Sequence, residues 1–289
     1  MRPLEYTVPE GEGCTVRHVL TEVFCMSSSH ISRLKRRENG ITRNGAPCYT
    51  TARCAPGDVI RALITDPPDT KRLEPMPMPL DIAYEDEWLI VINKPAGLTV
   101  HPERSGMGGS VENALTAHLA NDEFVHTVSR LDRGTSGLMT VAKCGYMHER
   151  MIRLLHTPDF KKEYLGLCWG APAERHGFIR LPIAHPEGEN YRMQVDKDGL
   201  PSVTEYEFVS AHGEFSLMRL IPHTGRMHQL RVHMAAIGHP LVGDWLYGEE
   251  VPFIDHAALH SHYLRFVHPM TGGVVESAAP LPPEIAKLL

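Results

Sequence analysis

Between Asp66 and Leu80 the chain carries five prolines, Pro67, Pro68, Pro75, Pro77 and Pro79. Each lacks an amide donor and fixes its own φ, so a run this dense resists both helix and central strand. The 289 residues are thereby divided into a short unit, 1–65, a linker, 66–80, and a longer unit, 81–289. Length agrees with that division, since domains commonly hold on the order of 100 to 200 residues and a chain of this size supports about two.

Composition narrows the class. Hydrophobic residues make up 42% and charged residues 22%, the balance of an ordinary globular protein, and no apolar run is long enough for a membrane span. Met1 to Glu10 mixes Arg2, Glu5 and two prolines without an apolar stretch, which is not the pattern of a secretory signal, so a cytoplasmic protein is expected. The six cysteines form no C-x-x-C pair and predict neither a zinc site nor a disulfide framework. Among the 18 histidines, His256, His260 and His262 are the closest approach to a metal set. Two of them, four residues apart, would share a helix face, but no H-E-x-x-H or added carboxylate accompanies them, so no metal or other cofactor is expected.

The net charge of −6 argues against a nucleic-acid partner until it is divided by region. Residues 14 to 61 hold eight Lys and Arg against three Asp and Glu, a local +5 that leaves −11 for the rest. Basic charge is therefore concentrated near one end, with Arg33, Lys35, Arg36 and Arg37 within five positions. A basic run is usually a solvated helix face. Joined to an otherwise acidic chain, this one favours RNA contact.

The same region reads as a small α/β module. Helical stretches are expected at Thr15 to Phe24 and Ser29 to Arg37, the second ended by Asn39-Gly40. Asn44-Gly45 marks a hairpin turn, and Pro56-Gly57-Asp58 a further turn before Val59 to Ile64. With Ser32-Arg33-Leu34, Gly40 to Gly45 and Pro56 to Ile60, this module resembles the S4 RNA-binding domain over about fifty residues. In that family the second helix and the following turn meet RNA phosphates, which implies His30, Arg33, Lys35, Arg36, Arg37 and Arg43 as the contact set.

From Asp81 onward strand-like and helix-like segments alternate without a repeat. Trp88 to Ile92 is a buried-strand candidate. Met147, Met151, Leu154 and Leu155 are spaced for a helix over Tyr146 to Leu155, and Tyr164 to Trp169 is extended. The expected class is α+β: a mixed, largely antiparallel sheet with flanking helices, preceded by the small module.

The most informative stretch runs from Arg130 to Met139. In an extended segment Arg130 and Asp132 project to one side and Leu131 to the other. Gly134 to Gly137 supply a turn, after which Leu138 to Ala142 enters the core as a strand, so a carboxylate sits on a loop backed by a rigid element. For a lone aspartate a cap or a surface ion pair remains the commoner role. A second segment, Arg226 to Ile237, reads as a helix with Met227, Leu230, Met234 and Ile237 as its apolar stripe and Arg231 one step round from it.

Arg130-Leu131-Asp132-Arg133-Gly134-Thr135-Ser136-Gly137-Leu138 resembles the R-L-D-x-x-T-S-G-L signature of the RluA-type RNA pseudouridine synthases. Three further segments agree in order: Asn93 to Pro102, Lys161 to Tyr164 as K-x-Y, and Thr224 to His233 followed by Gly238 to Asp244. There are two departures. Ser129 stands where the family commonly has His, and Met227 where it has Thr or Ser.

The resemblance implies Asp132 as the catalytic carboxylate and Arg231 as its ion-pair partner. It implies Tyr164 as a catalytic residue, stacked on the target uracil and aiding a proton transfer, with Leu230 supporting the ring from the other side and Arg130 taking the vacated space in the RNA stack. His101 and Lys94 are assigned to structure. The family chemistry admits attack by Asp132 on the sugar, attack on the base, or removal of a ribose proton. The implied partner is RNA, ribosomal RNA by default and transfer RNA as the alternative, with no membrane and no obligate protein partner. Two other readings compete: a non-catalytic RNA-binding protein, opposed by the intact Arg130, Asp132, Tyr164 and Arg231, and a metal hydrolase built on the three histidines.

Overall fold

The computed structural model describes residues 3–11, 13–67, 73–102, 109–119, 123–189 and 191–289. Near the N-terminus, strand β1 (Leu4–Thr7) precedes helix α1 (Val16–His18), capped by Thr15, whose hydroxyl accepts from the His18 amide. The stretch expected as one helix to Phe24 instead widens into a π-type turn over Val19–Val23, closed by Phe24 N–H donating to the Val19 carbonyl. Helix α2 (Ser28–Leu34) starts from Ser27, which accepts from the His30 amide at 3.0 Å. It stops short of Arg37, because Asn39 adopts a left-handed φ of 51° and Gly40 lies so close that a Cβ there would be 2.2 Å from the Leu34 carbonyl oxygen.

Strands β2 (Ile41–Arg43) and β3 (Ala46–Pro47) flank the Asn44-Gly45 turn, where both residues have positive φ as a two-residue hairpin requires. The Asn44 side chain accepts from the Val59 amide and donates to Asp58, which fixes the hairpin against β4 (Val59–Ala62). The sheet order is β1-β4-β2-β3.

The rest of the chain is organised on one large sheet. Its strands are β5 (Ile82–Glu85), β6 (Leu89–Lys94), β7 (Ser136–Ala142), β8 (Phe160–Trp169), β9 (His176–Ile179), β10 (Thr204–His212), β11 (Phe215–Pro222), β12 (Leu259–Val267) and β13 (Val274–Ala278). The order runs β9-β10-β11-β8-β12-β7-β6-β5, with β13 on β12 and a short His126–Thr127 strand on β7. Helices α3 (Val111–His118), α4 (Gly145–Leu154) and α5 (Gln229–Ala236) flank it. Among the described residues β7 and β12 form the one parallel pairing, and the class is α+β with a mixed, mostly antiparallel sheet. At that parallel pairing Gly137 has φ 108° and its absent Cβ would fall 2.3 Å from the Ser261 carbonyl oxygen, so glycine is required there.

Alternation along the central strands sorts side chains into two cores. Leu89, Val91, Leu138 and Ala142 join a cluster with Tyr146, Met147 and Met151 of α4 and with Leu20, Phe24 and Ile31 of the N-terminal unit. Ile90, Ile92, Met139 and Val141 join Leu115 of α3 and Leu230 and Met234 of α5. Each such side chain, once fully buried, contributes about 1.5 to 3 kcal/mol. Burial on both faces explains why β6 reads as an unbroken apolar run.

The N-terminal unit thus shares a core with α4, and polar contacts seal the junction. Tyr146 donates its hydroxyl to the Phe24 carbonyl at 2.7 Å, Arg153 donates to the Cys25 carbonyl at 2.8 Å, and Ser27 and Arg33 both donate to Glu149. Residues 73–80 of the proline-rich stretch form neither helix nor strand, while Pro68 and the residues to 72 lie outside the described residues. Asn113 binds this stretch to α3 by donating its amide to the Glu74 carbonyl and accepting from the Met76 N–H.

The helix expected over 226–237 is shorter than its apolar spacing suggests. His228 is left-handed at φ 53°, so α5 begins at Gln229 and Met227 is exposed rather than part of the core stripe. The cause is the Gln229 side chain, which accepts from the Arg226 amide and the Thr224 hydroxyl and so holds the preceding turn outside the helix. No helix of the described residues is long and apolar enough to cross a membrane.

Candidate active site

Asp132 sits on the loop that feeds β7. Arg130 is exposed, Leu131 is buried and Asp132 is intermediate, the alternation expected of an extended segment. Lys94, almost completely buried at the end of β6, fastens this loop by donating to the carbonyls of Pro95, Leu98 and Arg133 at 2.9, 2.9 and 3.2 Å. Burial pulls its ammonium down to about 8, opposed by the negative charge of Asp132. His101 pairs with Glu112 at 2.8 Å, beside the start of α3. Both residues have structural partners, in keeping with their sequence reading.

Arg231 comes to Asp132 from α5. Its Nη1 donates to Asp132 Oδ2 at 3.3 Å, while Nε and Nη2 donate to Asp244 Oδ2 and Oδ1, each at 2.7 Å. Asp244 is fully buried and also accepts from the amides of Leu246 and Tyr247. Burial works against the Arg231 charge, but its bonds to Asp244 and Asp132 hold its pKa above the ordinary value. A two-pronged carboxylate on one edge of the guanidinium fixes its plane, leaving the other edge to face Asp132.

His228 completes the surroundings. Its Nδ1 lies 2.8 Å from the Tyr247 hydroxyl, and that oxygen already accepts the Met193 N–H. In the tautomer in which the phenol donates to Nδ1, the imidazole proton sits on Nε2, 3.8 Å from Asp132 Oδ2. Burial lowers the His228 pKa, opposed by Asp132, so the ring faces the carboxylate as a neutral donor at neutral pH. The Tyr247 ring lies 5.0 Å beneath the Arg231 guanidinium and supports it from below.

These groups open on a cleft of about 790 Å³. Asp132, Arg130, Tyr164, Leu230 and Arg231 all line it, so the proposed catalytic set comes from three distant segments to one place. Tyr164 and Leu230 belong to the same apolar cluster and give the cleft an apolar wall. Burial pushes the Tyr164 phenol up to about 12, eased by the nearby Ser261 hydroxyl and added to by the Asp132 charge, so it stays protonated at neutral pH.

The expected RNA contacts of the N-terminal unit separate into groups. His30 is buried, packed edge-on against Tyr146 with ring centroids 5.8 Å apart, and is out of reach as a surface contact. Arg33 is paired with Glu149 at 2.9 Å and so helps hold the unit to the rest of the chain, while Arg37 donates to Thr65 within the unit itself. Arg43 donates to the Arg53 carbonyl at 2.6 Å, and Lys35 and Arg36 are exposed. The three C-terminal histidines do not share a helix face: His260 and His262 lie on β12, where His260 meets Ser136 and Ala279, and His262 also meets Ala279. His256 lies beside the Ala257 carbonyl. Among the described residues no group of three or more His, Cys, Asp or Glu side chains is arranged to hold a metal ion.

A family model for RNA pseudouridylate synthase matches residues 88–236, which contain Asp132, Tyr164 and Arg231. The chain belongs to the RNA pseudouridine synthase family. It is an isomerase that acts on RNA, of the RluA type expected from its motifs. Ribosomal large subunit pseudouridine synthase D of Escherichia coli K12 is 35% identical, over 99% of this chain and 93% of that one. The RNA pseudouridine synthase YlyB of Bacillus subtilis is 34% identical, over 88% of this chain and 86% of its own. The structure of human RNA pseudouridylate synthase domain containing 1 superposes with a TM-score of 0.60 at 28% identity, covering 75% of this chain and 90% of that one.

Sequence reading singled out Asp132, Tyr164 and Arg231 but assigned no part to Asp244, His228 or Tyr247. Asp244 closes the Gly238 to Asp244 segment that had already been noted. Its signal was a carboxylate placed directly after Gly243, whose φ is 74° and whose Cβ would be 2.5 Å from the His256 carbonyl oxygen.

Proposed function

We propose that this synthase converts uridines of ribosomal RNA to pseudouridines, with Asp132 as the catalytic carboxylate. The observation that carries the assignment is the Asp132–Arg231 contact at the floor of the cleft, with Arg231 locked in place by Asp244. Ribosomal RNA is favoured by the likeness over almost the whole chain to an enzyme named for the large ribosomal subunit.

The isomerisation breaks the bond from N1 of uracil to C1′, turns the ring, joins C5 to the same C1′, and moves one proton from C5 to N1. Atoms and electrons balance without a second substrate. A base inside a helix cannot reach Asp132, so the uridine must leave its stack, at a cost of a few kcal/mol that is smallest in loops. Arg130, exposed beside the cleft, fills the vacated space with a planar cation. The uracil lies between the Tyr164 ring and Leu230. Asp132 then acts on the sugar or the base as nucleophile, or on a ribose proton as base. Arg231 and the Nε2–H of His228 orient its oxygens for either.

Residues 1–65 act as an S4-like RNA-binding domain, joined through 66–80 to the catalytic domain, 81–289. Lys35, Arg36 and Arg43 are its phosphate contacts, with the outward side of Arg33 and Arg37 adding charge. His30 is not among them, for it is buried at the junction. Pseudouridine mapping of ribosomal and transfer RNA from cells with and without the gene tests the substrate. Loss of one or more sites in ribosomal RNA is expected; loss confined to transfer RNA would overturn the ribosomal assignment.

A further inference from the structure

The cleft is lined by five Lys and Arg residues, Arg130, Arg133, Lys162, Arg226 and Arg231, against a single carboxylate, Asp132. Three of these cations have clear internal partners, Arg133 donating its Nε–H to the Gly97 carbonyl at 3.1 Å. Arg231 is held by Asp244 and Asp132, and Arg226 donates to the Pro201 carbonyl. Lys162 differs. It stands on β8 two residues before Tyr164, only partly exposed, and among the described residues it has no hydrogen-bond or ion-pair partner. Its neighbour Glu163 cannot serve, since that side chain is taken by Arg219 at 3.2 Å. The Lys162 Nζ instead lies beside the Thr224-Gly225 turn, 4.0 Å from where a Gly225 Cβ would be.

A partly buried ammonium without a counter-ion has lost hydration and gained nothing in return. Burial accordingly lowers its pKa. Such a group is complementary to an anion that arrives with the substrate. Side chains at i and i+2 of a strand share a face and stand roughly 7 Å apart. One nucleotide bridges that spacing when its base rests on the Tyr164 ring and its phosphate reaches Lys162. A uracil carbonyl would return only a neutral hydrogen bond, whereas a phosphodiester returns both the bond and the charge.

We propose that Lys162 is the binding site for the backbone phosphate of the uridine being isomerised, an inference that rests on RNA being drawn into this cleft. Lys162 binds rather than reacts: it fixes the nucleotide by its phosphate while the base sits on Tyr164.

The test uses the full chain and a target RNA that the wild type modifies, made with either a normal or a neutral methylphosphonate linkage at the phosphate 5′ to the target uridine. Lys162→Met should raise KM about tenfold. The loss should fall on KM rather than kcat, and the slope of log(kcat/KM) against log[salt] should become shallower by about 0.7 to 0.9. Lys162→Arg should restore most of the affinity. The methylphosphonate should cost the wild type as much as the Met variant loses, and should cost the Met variant little more. Because an unpaired buried charge is removed, thermal stability of Lys162→Met should stay level or rise, whereas a structural role would lower it. A fall in kcat with an unchanged salt slope, additive losses from variant and methylphosphonate, or a destabilised Met variant would each overturn the proposal. Should the wild type modify no RNA at all, the reading of the cleft would fail first, which the wild-type control reports separately.

Discussion

The arrangement around Arg231 separates stability from chemistry, and one pair of substitutions reads the two apart. Asp132 has 30% of its side chain exposed and meets Arg231 through one contact at 3.3 Å, while Asp244 is fully buried and meets it through two at 2.7 Å. In Asp132→Asn the amide keeps an oxygen for Nη1, and the guanidinium stays neutralised by Asp244. A contact so open to solvent is worth about 1 kcal/mol or less, so the variant should unfold within about 3 °C of the wild type. The amide can act neither as nucleophile nor as base, and pseudouridine formation should fall about a thousandfold or more.

In Asp244→Asn either orientation of the amide sets an N–H donor 2.7 Å from an Arg231 donor and leaves the buried guanidinium short of one full charge. Breaking such a pair costs roughly 3 to 5 kcal/mol, a fall in Tm of about 6 to 15 °C. Activity should drop as well, because Arg231 no longer holds its orientation toward Asp132. The assays are thermal unfolding, RNA affinity and pseudouridine content of RNA incubated with each purified protein. Two results would refute the reasoning: a folded Asp132→Asn that modifies RNA at a rate comparable to wild type, or an Asp132→Asn as destabilised as Asp244→Asn.

Tyr164→Phe keeps the ring face and loses the hydroxyl, so single-turnover rates should fall while RNA affinity stays near wild type; a normal rate would leave Tyr164 a packing role. With its phenol pushed up to about 12, the wild-type rate should show no ionisation of this group below about pH 10. Replacing the exposed Lys35 and Arg36 together by Ala in the full chain should reduce the salt dependence of RNA binding by about 1.4 to 1.8 in log–log slope, and an unchanged slope would move RNA contact elsewhere. Burial raises the Glu149 pKa, but His30, Ser27 and Arg33 more than reverse this and hold it at about 2. The stability this contributes is complete above the unfolded value near 4.5 and is lost as pH falls from there toward 2. Unfolding followed between pH 5 and 3 should therefore be less pH-dependent in Glu149→Gln, which should also cost about 1 to 2 kcal/mol at neutral pH once solvent screening is allowed for; equal slopes would remove Glu149 from the junction.

What the chain discloses in advance depends on how local the determinant is. The Asn44-Gly45 hairpin, the all-buried strand at 136–142 and the helix over 145–154 each rest on neighbouring residues, and all three form. The α5 boundary was misread because Met227, Leu230, Met234 and Ile237 satisfy a helical period, while the decision lies with one side chain, Gln229, folding back onto Thr224 and Arg226. Periodicity registers what a helix would bury but not where a cap stops it. His30 failed in the same way. The S4 resemblance implied it as an RNA contact, yet α2 turns that face onto Tyr146 and Glu149, a contact across more than a hundred residues.

The same distinction explains the site. Asp132 was singled out through the motif around it, since its presentation depends on the loop and strand directly attached. The role of Asp244 was not, because a carboxylate acquires meaning as an anchor only when it meets Arg231, thirteen positions away, after α5 and the Gly243 turn have both formed. Asp244, Tyr247 and the buried part of Lys94 fix the positions of Arg231, His228 and Asp132 before any RNA arrives. On the proposed reading, recognition falls to the cations of the cleft and to the basic N-terminal unit. Substitutions at Lys35 or Arg36 should consequently change which RNA is captured, or how tightly, without altering the rate at which a bound uridine is converted. Single-turnover kinetics at saturating enzyme would reveal that separation, and a slower conversion in those variants would mean that the N-terminal unit also shapes the cleft.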